Sequence, residues 1–286
     1  MFLEYLYNGL INGSTITVTA LGFALVYNTF RIFHIAYAAI YTLAGYLILT
    51  FSALLSWPLL WSLLAAVILV SFVSWLLDKG LYVQLGKRTA NESYIMLASV
   101  GAFIILTNIL GLIYGNQPRM MGEEIRSSWL PHWLDIRTFI LIINLLLILL
   151  FIILMKFTRI GLMLRALRDN KRLSAYFGMN AGAIRSLVFL ISGLLVAFAG
   201  AFQCMDVGVH PYTGLPVFIS AFIAMVIGGI GRYEGVILGG FLLGILQSFA
   251  DYFTGSQWVV VITFLVLFVF LFFKPEGIIP EKERGI

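Results

Sequence analysis

The chain has 286 residues, of which 61% are hydrophobic and only 11% charged, and its mean hydropathy is +1.01. A water-soluble domain sits nearer half apolar and a quarter charged, so a soluble fold is excluded and a bilayer must act as the solvent. The net charge of +5 does not point to nucleic acid, because the basic residues crowd into loops between apolar runs, where anionic lipid and the positive-inside rule account for them.

No basic run precedes the first apolar stretch, so that stretch is expected to remain as a span rather than be cleaved as a signal peptide. A spanning helix needs about 20 mostly apolar residues. On that measure the runs fall at 6–28, 35–55, 59–77, 93–114, 137–155, 183–204, 213–231, 235–252 and 257–273. They are continuous and do not alternate, which favours helices over barrel strands. The expected architecture is an all-α polytopic transmembrane bundle, one domain over residues 1–286, with about nine spans in a range of eight to ten. The last four runs lie so close together that one is a candidate for a re-entrant or broken helix.

Orientation follows from Lys and Arg. Lys156, Arg159, Arg165, Arg168, Lys171, Arg172 and Arg185 face a single acid, Asp169, in the same stretch. That stretch is expected in the cytoplasm. The 78–92 loop, with Lys79, Lys87 and Arg88, falls on the same side, whereas 205–212 carries no Lys or Arg and falls outside. Nine crossings then place the N-terminus outside and the C-terminus in the cytoplasm.

Within 159–180, Ile160, Met163, Leu164 and Leu167 share one helical face, and Arg165, Arg168, Asp169 and Arg172 the other. Gly178 is a plausible C-cap. This amphipathic segment reads equally as an interfacial helix on lipid headgroups and as a docking helix for a cytoplasmic protein, with Asp169 and Asn170 favouring docking. A second pattern is the glycine run Gly228, Gly229, Gly231, Gly235, Gly239, Gly240 and Gly244. Small residues every four positions let two backbones approach, and Gly228–Gly231 is a candidate hinge. Gly193, Ala197 and Ala201 form a similar stripe on the preceding span.

Asn12, Asn28, Asn108, Asn144, Gln203 and Gln247 lie in or near spans. An unsatisfied amide is costly in hydrocarbon, so these side chains line a polar route or bond between helices. Asn12, Asn28, Asn108 and Gln203 are the route candidates. Arg232 and Glu234 read as a local ion pair or a lipid contact, His34 as an interfacial histidine, and the single Cys204 as a packing residue. No carboxylate falls at the centre of a run, which argues against an ion-coupled carrier. There is no HExxH, GxSxG, metal-ligand cluster or Walker A loop, so neither catalysis nor metal binding is expected.

Three blocks give the chain a family likeness. They are Asn8–Ser14 with Ala20–Tyr27; Gly161–Ala166 with Asp169, Asn170 and Gly178–Asn180; and Ala197–Gly200 with the glycine run and Lys274–Gly277. In these the chain resembles the permease subunit of bacterial branched-chain amino acid ABC importers. The resemblance implies an inner-membrane subunit that pairs with a second permease, two cytoplasmic ATPases and an extracytoplasmic solute-binding protein. ATP would be used by the partners, with no cofactor on this chain. It also implies that Arg165, Arg168, Asp169 and Asn170 transmit the ATPase stroke mechanically. One stretch departs from the pattern: Phe33–Ala39 stands where amino-acid permeases carry an Asn-Phe-Ala-His-Gly type sequence. Relatives that carry urea, short amides or other small solutes therefore stay open as models for the substrate, as does a stand-alone channel or carrier for the mechanism.

Overall fold

The computed structural model describes residues 2–88, 92–122, 135–169 and 179–279. The helices are α1 (Phe2–Phe30), α2 (Tyr37–Leu49), α3 (Leu59–Leu77), α4 (Val83–Arg88), α5 (Glu92–Tyr114), α6 (Ile136–Phe157), α7 (Arg159–Asp169), α8 (Ala181–Asp206), α9 (Gly214–Gly228), α10 (Tyr233–Thr254) and α11 (Val259–Phe273). Among the described residues, eight helical stretches are long and apolar enough to cross a membrane. The remaining apolar helix, α9, has 15 residues. At 1.5 Å per residue it reaches about 22 Å, short of a hydrocarbon core of about 30 Å.

α1 is the central post. From Ser14 to Val26 every residue is buried, and α1 packs against α6, α8, α9 and α10. Its hydroxyls are satisfied locally: Thr17 donates to the Gly13 carbonyl at 2.6 Å and Thr19 to the Thr15 carbonyl at 2.8 Å. This lets threonines occupy a dry helix interior. α5 and α11 lie at the periphery, with outward Leu112, Phe268 and Phe272 largely exposed, as a bilayer solvent permits.

Contacts sort onto two ends of the bundle. At one end Tyr7 bonds Thr138 at 2.7 Å, and Arg137 pairs with Asp206 at 2.9 Å. At the other, Arg185 pairs with Asp78 at 2.7 Å and Lys156 with Glu234 at 3.0 Å. The starts of α1 and α6 thus meet the end of α8 at one end, and the ends of α3 and α6 meet the starts of α8 and α10 at the other.

Two elements differ from expectation. The 78–92 segment is largely helical: α3 passes through a π-helical turn, Asp78–Tyr82, and continues as α4 to Arg88. The Arg185 guanidinium pairs with Asp78 at this turn. The C-terminal Pro275–Ile279 turn folds back onto the end of α9. There the Ile278 and Ile279 amides donate to the carbonyls of Ile227 and Gly228 at 2.8 and 3.1 Å. These are the unpaired carbonyls of a helix end, supplied with donors by a distant segment.

Candidate functional site

α7 has the predicted amphipathic form. Leu164 and Leu167 are 3% exposed, and Ile160 and Met163 pack against the core. The polar face is only partly free. Arg165 donates to the Met155 carbonyl near the end of α6, and Arg168 donates to the Gly231 carbonyl in the turn between α9 and α10. Both arginines thus tie α7 to its neighbours rather than only projecting from it. The Asp169 side chain, Asn170 and Gly178 lie outside the described residues.

The glycine run serves two partners. Gly235 and Gly239 sit against α9, where a β-carbon would meet the Gly228 and Ala224 carbonyls. Gly240 and Gly244, one step round the helix, sit against Thr17 and Gly13 of α1. On α8, Gly193 of the stripe faces Ser71 and Ser74 of α3, and Gly200, outside the stripe, faces Tyr41 of α2. Gly228–Gly231 is a turn between two helices, with φ of +107° at Gly229 and +100° at Gly231, a region open to glycine.

Of the four route candidates, the fold gathers two. Asn12 and Gln203 line a cavity of about 190 Å³ with Tyr41, Ser220, Gln247 and Thr263. Ile16, Val217, Ile219, Val259 and Val260 supply apolar wall. The Tyr41 hydroxyl approaches Gln203 Oε1 at 3.4 Å. Among the described residues no side chain lining this cavity is charged. Asn28 is buried towards the other end of α1, beside Tyr233, and Asn108 faces outward and bonds the Ile104 carbonyl at 2.7 Å. Asn144 and Gln247 bond between helices. Asn144 donates to Ser14 and Thr15 at 3.0 and 3.1 Å, and Gln247 donates to Ser220 and Thr263 at 3.0 and 2.9 Å.

α9 joins these two regions. Its first turns, Pro216 to Ser220, form cavity wall; its last turn runs into the Gly229–Gly231 segment that Arg168 holds. Gly214 at its start donates to Thr42 of α2 at 3.0 Å, inside the bundle rather than at its surface.

A buried polar cluster escaped the sequence reading. Asp78 is fully buried against Arg185, whose guanidinium also lies over the Phe30 and Phe189 rings at 5.5 and 5.9 Å. One turn on, Tyr82 donates to Ser99 at 3.0 Å and contacts His34 Nδ1 at 2.7 Å. Ser99 in turn accepts the Ala36 amide at 3.0 Å. His34 is thus buried within the protein. The one available signal was a carboxylate and an arginine each at the end of an apolar run. Nothing local says that they meet.

A family model described as "Branched-chain amino acid transport system / permease component" matches residues 5–271. The chain is 26% identical over 302 residues to the high-affinity branched-chain amino acid transport system permease protein LivH of Salmonella typhimurium, covering 99% of this chain and 97% of that one. It is 28% identical over 304 residues to BraD of Pseudomonas aeruginosa, covering 99% and 98%. With the probable LivH of Methanocaldococcus jannaschii the identity is 27% over 292 residues, covering 94% and 90%.

Proposed function

Because the chain belongs to the branched-chain amino acid transport system permease family, we propose that it forms the translocation path of an ATP-driven importer for branched-chain or similar aliphatic amino acids. In this reading a second permease, two cytoplasmic ATPases and an extracytoplasmic binding protein complete the importer in the bacterial inner membrane. ATP is hydrolysed in the partners, the N-terminus lies outside, and α7 faces the cytoplasm.

The observation that carries the reading is the two-ended placement of α9. Movement imposed on α7 is passed by Arg168 to the Gly231 carbonyl, in the turn that follows α9, and the first turns of α9 stand in the wall of the polar cavity. A docked ATPase could therefore change the cavity without touching it. The uncharged amides and apolar wall suit a small solute with an aliphatic side chain, and the chemistry of such a site is recognition, not bond breaking.

Proteoliposomes holding the assembled complex should take up leucine only with ATP on the ATPase side. Uptake without ATP and without partner subunits would overturn this in favour of a stand-alone carrier. Uptake of urea or a short amide in place of leucine would keep the mechanism and change the substrate, a reading motivated by the atypical 33–39 segment. In this reading Asn12 and Gln203 hydrogen-bond the charged groups of the solute, contacts worth about 1.5–3 kcal/mol each, so Asn12→Leu and Gln203→Leu should each lower leucine uptake about tenfold or more while the complex still assembles. Arg168→Gln should leave assembly and ATP hydrolysis in place but lower solute moved per ATP. An unchanged ratio would remove Arg168 from the coupling path.

A further inference from the structure

At the α7 end of the bundle lies a second cavity, of about 240 Å³, between α6, α7 and the turn that leads into α10. Among the described residues four cationic side chains line it, Lys156, Arg165, Arg168 and Arg232, with one carboxylate, Glu234. The Lys156–Glu234 pair is about half exposed, so it neutralises one cation loosely, and Arg165 and Arg232 add positive charge to the wall. Arg165 gives one bond to the Met155 carbonyl, and a guanidinium has five N–H donors. One wall is apolar, made by Phe151, Ile152 and Met155 of α6.

Position distinguishes this cavity from an ordinary basic surface. It sits where α6 ends and α10 begins, two helices long and apolar enough to cross a membrane. Beside its lining residues, Phe157 is 81% exposed and Leu162 is 62% exposed. Large apolar side chains left bare next to a basic cavity fit acyl chains better than an aqueous protein surface. Basic pockets between transmembrane helices at the cytoplasmic boundary are suited to anionic lipid headgroups.

We propose that this cavity binds the headgroup phosphate of an anionic phospholipid, with the cations around the phosphate and the α6 wall along an acyl chain. Because Arg168 also holds the α9–α10 turn, a lipid seated here stabilises the junction through which α7 acts on α9. The site rests on the cavity and its charges and holds whether or not an ATPase docks on α7.

The test is lipid retention by the full chain with its co-purifying subunits, measured by native mass spectrometry from micelles doped with equimolar phosphatidylglycerol and phosphatidylcholine. Phosphatidylglycerol should be retained in preference. Arg232→Gln should lower that retention about fivefold, the effect of one near-surface cation worth about 1 kcal/mol, and Arg232→Lys should restore it. For the unmodified protein, raising salt should weaken retention, a readout that needs no variant to fold. Equal retention of the two lipids, or retention indifferent to salt, would overturn the site. Displacement of the lipid by millimolar inorganic phosphate alone would show a free-anion site instead. Loss of ATPase subunits from Arg232→Gln with lipid retention unchanged would assign the cavity to an acidic protein partner and overturn the lipid.

Discussion

Gly244→Ala is expected to lower the thermal stability of the purified permease markedly, and Gly244→Leu to abolish folded material. A β-carbon at Gly244 falls onto the Gly13 backbone of α1, and backbone cannot rotate aside as a side chain can. Inserting atoms into a packed contact costs about 1–3 kcal/mol, more where no rotamer gives relief. Here the contact joins α10 to the central post. Gly101→Ala on α5 is the matched control: none of the described residues lies within 4 Å of its β-carbon position, and alanine is the better helix former by about 1 kcal/mol. It should be neutral or stabilising. Detergent-solubilised melting curves compare the two, and equal stability would mean that α1 and α10 are not in backbone contact.

Asp78→Ala is expected to destabilise the protein by about 3–5 kcal/mol, because it leaves the Arg185 guanidinium without its carboxylate among apolar neighbours. Arg185 is 18% exposed at its side chain and flanked by Phe30 and Phe189. Asp78 Oδ2 and Arg185 Nη2 already lack partners among the described residues, so the single Nε–Oδ1 bond carries the pairing. Removing both charges in Asp78→Ala/Arg185→Met should recover most of the loss, since a buried pair is often no better than a well-packed apolar substitute. A double-mutant cycle on melting measurements gives the coupling. Strict additivity of the two single losses would show that the pair is not what holds the π-helical turn of α3 against α8.

These two effects come from features that were unequally legible. The glycine stripe was visible as spacing, because small residues every four positions recur along one chain. Its destination was not. Gly235 and Gly239 meet α9, Gly240 and Gly244 meet α1, and Gly193 of the similar stripe on α8 meets α3 instead. The amphipathic face of α7 was likewise readable, but the carbonyls its arginines hold belong to Met155 and Gly231.

By itself, the sequence determined the bilayer, the all-helical bundle, the near count of spans and the amphipathic insertion at α7. Each follows from apolar length or periodicity, which are properties of neighbouring residues. Tertiary structure alone decided that Asn12 and Gln203 share a cavity while Asn28 and Asn108 do not. It also joined Asp78 to Arg185 across 107 positions and left α9 with one end at the cavity and the other at Arg168. The reason is physical: in lipid every apolar helix face is equally content, so the choice of partner rests on close packing and on pairing of polar groups far apart in the chain.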